Sequence, residues 1–298
     1  MKIIITGSLG NISKPLTKEL VQKGHQVTVI SSNPENQTAI EKLGAKAAIG
    51  SVENSSFLTD TFTGADAVYC MIPRADYFDP HLDLDVFTRE IGNNYAQAIE
   101  KSGVKRVVFL SSIGAHLEKN SGIILHYHKI EAVLNKLSDV AITFIRPTSF
   151  FYNLEAYIPT IQHKGIIAAN YGADKIIPWV SPLDIASAIA EEIITPLDGK
   201  KVRYVASEEL TGYETARILG AAIGKPDLKW VLTTDEETLA GLKNFGMQPK
   251  IAEDLVEMYS ALYKGTFAED YYRNKPAVMG KIKLKDYAKE FATIFNQK

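Results

Sequence analysis

Short runs of valine, isoleucine and alanine recur along the first half of the chain and alternate with segments of helical spacing. The runs cover residues 2–5, 26–30, 45–49, 67–72, 106–110 and 140–145. Few polar residues interrupt them, which is typical of strands buried on both faces of a parallel sheet. Between them, apolar residues recur every three or four positions, as at Leu16 and Leu20, and predict helices. The alternation predicts an α/β fold with a doubly wound parallel sheet.

The pattern loosens after about residue 149. Strands are predicted there at 165–168, 175–180, 201–205 and 228–232, and helices at 182–194, 213–223, 235–245 and 251–264. The aromatic residues of segment 150–157 are candidates to line a pocket, although a plain aromatic core is the alternative. We therefore predict a core domain over residues 1–150 and a smaller α+β C-terminal lobe over residues 151–298, interleaved with the core.

A glycine turn, GSLGNIS over residues 7–13, separates the first predicted strand from the first helix. Gly7 allows a sharp turn, and Gly10 lets the backbone approach a pyrophosphate without a Cβ atom in the way. Free N–H groups at the start of the helix favour an anion. The position of this turn predicts a Rossmann-type dinucleotide site, with a flavodoxin-like turn that binds another ligand or none as the alternative.

The end of the second strand indicates which cofactor fits. NAD enzymes place Asp or Glu about 20 residues past the turn to hold the ribose 2′-hydroxyl. Here the strand ends in Ser31, Ser32 and Asn33, which can donate hydrogen bonds and do not repel a 2′-phosphate. No arginine stands there either, so NADP(H) is favoured over NAD(H) without excluding it. A simple polar turn before Pro34 is the alternative.

Composition removes several other classes of function. The net charge of -2 and the absence of long runs of like charge argue against nucleic acid and membrane surfaces as partners. Cys70 is the only cysteine, so no disulfide can form within the chain and no thiolate metal cluster is expected. The acidic stretch around His81 matches no metal signature, and we predict no metal site. A reducing, cytoplasmic location fits these features.

Several segments, taken in order along the chain, resemble the NmrA-like family of atypical short-chain dehydrogenases/reductases. They are ITGSLGNIS at the start, VVFLSS at 107–112, KIE at 129–131, IRPTSF at 145–150, and PWVS at 178–181 followed by DIA at 184–186. That family contains NADPH-dependent quinone reductases, phenylpropanoid-type reductases and catalytically silent proteins that sense NADP. The resemblance implies that the protein binds NAD(P).

The resemblance also implies a role for each matching position. Gly7, Leu9, Gly10, Asn11 and Ile12 would contact the pyrophosphate, and Ser31, Ser32 and Asn33 the adenosine ribose. Ser51 and Val52 would flank the adenine, and Met71, Ile72 and Pro73 would line the middle of the cofactor. Ser111 and Ser112 end the fifth strand, Lys129 would bond the nicotinamide ribose, and Pro147, Thr148, Ser149 and Phe150 would pass near the nicotinamide. All lie at or just after the carboxyl end of a predicted strand or on a following helix, as expected for open α/β sheets.

The sequence departs from the family pattern in ways that affect chemistry. Ser13 replaces the third glycine, and Ser51 replaces the usual aspartate. Short-chain dehydrogenases place a tyrosine four residues before the lysine, but Leu125 stands there, so that Tyr–Lys pair is absent. Tyr127, two residues before Lys129, faces elsewhere on the helix. His126 is the remaining candidate proton donor on the face of Lys129, with a solvated helix face as the alternative.

Two functions remain open from the sequence. The first is an NAD(P)H-dependent oxidoreductase that transfers a hydride to a quinone or a similar small conjugated carbonyl, because a reduced quinone can take its protons from solvent. The second is a catalytically silent NADP(H)-sensing protein that regulates a partner protein. A sugar-nucleotide epimerase is a third possibility, and the absent Tyr–Lys pair argues against it.

Overall fold

The structure, a computed structural model, describes residues 1–297. Its strands are β1 (Lys2–Ile5), β2 (Gln26–Ser31), β3 (Lys46–Ile49), β4 (Ala67–Cys70), β5 (Arg106–Leu110), β6 (Ala141–Pro147), β7 (Ser149–Phe150), β8 (Ile166–Ala169), β9 (Ile176–Val180), β10 (Lys200–Val205), β11 (Glu208–Thr211) and β12 (Lys229–Leu232). Seven of them form a parallel sheet in the order β10-β6-β5-β4-β1-β2-β3. The predicted Rossmann-type sheet is therefore confirmed.

The described chain forms twelve α-helices, and some of them cover both faces of this sheet. They are α1 (Ser13–Gln22), α2 (Gln37–Lys42), α3 (Ser55–Phe62), α4 (Leu84–Ser102), α5 (Leu125–Leu134), α6 (Ile158–Lys164), α7 (Pro182–Ile194), α8 (Gly212–Ala222), α9 (Asp235–Asn244), α10 (Pro249–Tyr263), α11 (Ala268–Asn274) and α12 (Leu284–Gln297). One face buries Leu16 of α1 and Ile189 of α7 against the strands. The opposite face buries Leu58 of α3, Ile91 of α4 and Ile130 of α5. This two-sided burial explains why the strand residues are apolar without alternation.

The chain after residue 150 does not form a separate block. β10 adds the seventh strand beside β6, and α7 packs on the central sheet. Several of the remaining elements build a second core around Trp179, Trp230 and Phe291, with two small sheets, β11-β9-β7 and β12-β8. Ile251 of α10 and Tyr271 of α11 pack in a further cluster that includes Leu84 of α4. The predicted division at residue 150 stays a prediction, and residue 298 of the predicted lobe lies outside the described residues.

Three strands, β4, β7 and β11, differ from the sequence prediction. β4 ends at Cys70 and not at residue 72, because the main chain of Met71 turns to bond other groups. β7 and β11, two and four residues long, were not predicted. Both strands are too short to show a hydrophobic periodicity, and they form only because they pair with β9.

Candidate functional site

The glycine turn leaves β1 with two residues in the left-handed region. Gly7 has φ +85° and Ser8 has φ +51°. A Cβ atom on Gly7 would overlap the sulfur of Met71, so glycine is required by close approach as well as by φ. The N–H of Ser8 donates to the carbonyl of Ile30 at 3.1 Å, which fastens the turn to β2.

The same turn presents unpaired donors. Among residues 1–297, the backbone N–H groups of Leu9, Asn11 and Ile12 have no hydrogen-bond acceptor. No side chain caps the start of α1. A Cβ atom on Gly10 would meet only the carbonyl oxygen of Gly7, at 3.1 Å, so the space in front of the turn is open. Free N–H groups, open space and the helix dipole together form an anion cradle.

Ser13 occupies the position of the third glycine without loosening the packing. It is fully buried, and its Oγ donates to the carbonyl of Thr6 at 2.8 Å. The hydroxyl thus ties the first residue of α1 to the end of β1. The departure from the family pattern is accommodated by one additional hydrogen bond.

The adenosine side of the site is partly closed. Ser31 is only 2% exposed, and its Oγ lies 2.9 Å from Ser8 Oγ and 3.1 Å from Asn36 Nδ2. The Ser31 hydroxyl therefore stabilises the glycine turn through its bond with Ser8. Ser32 and Asn33 are exposed and free to meet a ribose, although Asn33 Oδ1 accepts the N–H of Glu35 at 2.9 Å. The role of Asn36 had no sequence signal, because it depends on the fold of the following helical turn.

Ser51 and Val52 follow β3 on the same edge. Ser51 Oγ accepts the N–H of Glu53 at 3.1 Å and remains partly exposed. Val52 packs against the core between the sheet and α4. Both residues can flank a base, and their assignment to adenine stays a prediction.

The middle of this edge is fixed by two bonds to the main chain of Met71, one with Thr6 after β1 and one with Tyr95 of α4. Met71 N donates to Thr6 Oγ1 at 3.1 Å, and the hydroxyl of Tyr95 donates to the carbonyl of Met71 at 2.7 Å. Met71, Ile72 and Pro73 leave the strand here with partly exposed side chains. They form a short wall beside the glycine turn.

The ends of β5 and β6 are joined by a buried ionic group. Arg146 donates to both carboxylate oxygens of Glu131, at 3.0 and 2.7 Å, and also to Asp270 at 3.1 Å. Ser111 Oγ donates to Glu131 at 2.5 Å, so this predicted cofactor residue holds α5 in place. Burial lowers the pKa of Arg146, but the bonds to Glu131 outweigh it and the pKa lies above its ordinary value. The sequence motif contained Arg146 and Glu131, but nothing in it indicated their pairing.

Two buried hydroxyl groups near these strand ends have no partner among the described residues. They are Tyr69 Oη on β4 and Thr148 Oγ1 after β6. Buried polar atoms are normally hydrogen-bonded, so such atoms indicate that a water or a ligand completes them. Thr148 precedes Phe150, whose ring stacks on Tyr152 with centroids 5.0 Å apart. Pro147 ends β6, and Ser149 and Phe150 form β7. Their position beside a nicotinamide stays a prediction.

Lys129 and His126 lie together, but on the side of α5 that faces α4. Lys129 Nζ is 2.5 Å from Asp85 Oδ1 and its side chain is 45% exposed. His126 Nδ1 lies 3.1 Å from Thr88 Oγ1 and 3.2 Å from Asp85 Oδ1. Burial lowers the pKa of His126, and the nearby Asp85 opposes this only in part. Their catalytic and ribose-binding roles stay predictions, which these contacts do not support.

Residues 1–297 contain no group of three His, Cys, Asp or Glu side chains placed to hold a metal ion. In that same range, no helix is long and apolar enough to cross a membrane. Cys70 is buried in β4, and burial raises the pKa of its thiol well above the ordinary value, so it is an inert core residue.

A seven-stranded parallel sheet of this order, with a glycine turn after its first strand, is a Rossmann-type α/β fold. The chain belongs to the NmrA-like family, which it matches over residues 1–288.

Named relatives with similar sequences are reductases. The chain is 23% identical over 260 residues to an NAD(P)H azoreductase of Xenophilus azovorans, covering 87% of this chain and 86% of the relative. It is 25% identical over 225 residues to a (4-alkanoyl-5-oxo-2,5-dihydrofuran-3-yl)methyl phosphate reductase of Streptomyces griseus, covering 75% and 74% of the two chains. An NADPH-dependent quinone oxidoreductase from Escherichia coli, solved with NADPH, has a TM-score of 0.80 at 20% identity, covering 97% and 99%. At that identity the structural likeness supports the fold alone.

Proposed function

We propose that this protein is an NAD(P)H-dependent reductase that acts on a quinone or a similar small conjugated carbonyl compound. The observation that carries the proposal is the cradle of unpaired N–H groups at Leu9, Asn11 and Ile12. Relatives whose names describe NAD(P)H-linked reduction add support. When bound, a reduced nicotinamide would supply the hydride.

The residues of the chain would bind and orient the two reactants. The cradle would hold the pyrophosphate, and Thr148 Oγ1 offers an unpartnered hydroxyl at the opposite end of the site. The Phe150–Tyr152 stack would cover a flat conjugated substrate and exclude water. Holding two reactants in contact is the main requirement for hydride transfer, because a reduced quinone can take its protons from solvent.

NADPH is proposed as the preferred cofactor, with a modest preference over NADH. Ser32 and Asn33 are exposed at the end of β2 and can donate to a 2′-phosphate. The segment SSNPEN at 31–36 contains no lysine or arginine, and it does contain Glu35. Because a phosphate is bound most strongly by a cation, we expect the preference to be within about tenfold.

The test is the loss of NADPH absorbance with a panel of benzoquinones and naphthoquinones, together with calorimetric titration of NADPH. We expect saturable turnover and micromolar binding. No contact in the described chain supports the NADP(H)-sensing alternative. Tight binding of NADPH without turnover would nevertheless contradict the reductase proposal and favour that alternative. Absence of binding would contradict both.

A further inference from the structure

The side of α5 that faces the sheet carries a tyrosine at the edge of the site. Tyr127 and Glu131 are four residues apart and so share one face of the helix. Glu131 is bonded to Ser111 at the end of β5 and to Arg146 on β6. Since α5 begins near the carboxyl ends of the strands and runs back along the sheet, Tyr127 lies one turn further toward that edge.

The hydroxyl of Tyr127 has no hydrogen-bond partner among residues 1–297, and the side chain is partly exposed. Around it are Tyr69, Tyr77 and Tyr152. Burial raises the pKa of Tyr127, and Tyr77 and Tyr152 raise it further. Burial likewise raises the pKa of Tyr69, with contributions from Tyr127 and Tyr152. These neighbouring phenols therefore remain protonated at neutral pH and are hydrogen-bond donors.

The unpartnered Tyr69 Oη is an independent sign that a ligand or a water molecule forms a hydrogen bond with this cluster of phenols. Tyr69 is fully buried, and no described residue accepts its hydrogen. Lys129 and His126 differ from Tyr127, because their polar atoms are already bonded to Asp85 and Thr88. Of the three candidates on α5, only Tyr127 combines the sheet-facing side with a free donor.

We propose that Tyr127 is a catalytic residue whose hydroxyl donates a hydrogen bond to the substrate oxygen that gains negative charge. This inference rests on the proposed reductase function and deepens it. A hydride leaving a C–H bond of the reduced nicotinamide would form a new C–H bond on the conjugated acceptor, and the nicotinamide would be left oxidised. The π electrons displaced on the acceptor would come to rest on its carbonyl oxygen. Water supplies the proton that completes the new hydroxyl group, so Tyr127 keeps its own. A positioned donor of this kind stabilises the transition state more than the ground state.

The first test compares Tyr127→Phe with the wild-type protein using 1,4-benzoquinone and NADPH. We expect kcat/KM to fall by about 10–100-fold, with NADPH affinity and Tm nearly unchanged, because only one hydroxyl is removed. Tyr213→Phe is the matched control, since Tyr213 is 56% exposed on α8, away from the cluster. Tyr152→Phe distinguishes the contribution of the Tyr152 hydroxyl to activity from that of the Tyr127 hydroxyl. Loss of activity in Tyr152→Phe with wild-type kinetics in Tyr127→Phe would overturn the proposal.

The second test does not depend on turnover. 4-Nitrophenolate, an anion that resembles the developing oxyanion, is titrated into the complex with NADP⁺ and followed by its absorbance. We expect about tenfold weaker binding to Tyr127→Phe than to wild type, and partial recovery in Tyr127→His, which restores an N–H donor. Equal affinity for wild type and Tyr127→Phe would overturn the role of Tyr127 even if quinones are reduced. If NADPH binds without turnover, the proposed function fails, and the phenolate titration still decides whether Tyr127 binds an oxyanion.

Discussion

The two ends of the site differ in the groups that form them, which are backbone groups at one end and side chains at the other. The glycine-turn end consists of backbone, supplied by the contiguous residues 7–13. The opposite end consists of side chains from β5, α5 and β6, brought together by the bonds of Arg146 to Glu131 and of Glu131 to Ser111. A backbone site needs only a turn and its glycines. A side-chain site needs the correct rotation of each helix, which distant contacts set.

Arg146→Ala is expected to have the largest effect, because it removes one partner of a buried ion pair. Arg146 and Glu131 are both under 10% exposed, so the unpaired carboxylate should cost about 3–5 kcal/mol of unfolding free energy. Urea denaturation measures this cost. Arg273→Ala, at an exposed pair with Glu269, should change stability by less than about 0.5 kcal/mol. Equal effects of the two variants would show that the side-chain end is not held by this pair.

Gly10→Val tests the backbone end. The new side chain would fill the space in front of the N–H cradle, so NADPH affinity should fall by about 100-fold, or about 2.7 kcal/mol. The fold should persist, because a Cβ atom there meets only the carbonyl oxygen of Gly7. Calorimetry and thermal unfolding separate the two effects, with Gly241→Val on α9 as the control. Unchanged affinity would refute the cradle.

Ser32→Asp examines the adenosine side with a smaller expected change. A carboxylate at this exposed position would repel a 2′-phosphate and accept from a ribose hydroxyl, so the NADPH-to-NADH ratio of kcat/KM should shift toward NADH by about tenfold. Ser102→Asp, at the far end of α4, provides a control charge. No shift in the ratio would indicate that the ribose lies elsewhere.

Lys129→Ala should have the smallest effect. Its exposed pair with Asp85 should contribute less than about 1 kcal/mol, and kcat/KM should stay within about threefold of wild type. The bond from Lys129 holds the pKa of Asp85 below its usual value, so this stabilisation is present above the ordinary carboxyl pKa and disappears as pH falls through the lowered one. Unfolding measured across acid pH should show a stronger dependence in wild type than in the variant, where His126 and Arg89 still lower the pKa of Asp85. A tenfold loss of activity would instead support the prediction that Lys129 bonds the nicotinamide ribose.

The sequence predicted the glycine turn at residues 7–13, because the information that specifies this turn is local. The glycine turn, the six strands of the first half and β10 were all visible as apolar runs and turn residues. The helix α5 was also predicted, but not the direction of its residues. Because the Tyr–Lys spacing is absent, the sequence predicted Lys129 and His126 as the functional residues of α5. In the structure, the bond between Ser111 and Glu131 fixes the rotation of α5 so that Tyr127 faces the sheet.

The amino-acid sequence by itself determined the doubly wound sheet and the anion cradle, since hydrophobic periodicity and glycine conformation act over a few residues. The tertiary structure alone decided which side chains of β5, α5 and β6 meet at the opposite end of the site. Their directions follow from buried bonds between residues far apart in the chain, as between Arg146 and Asp270, and no local pattern encodes them.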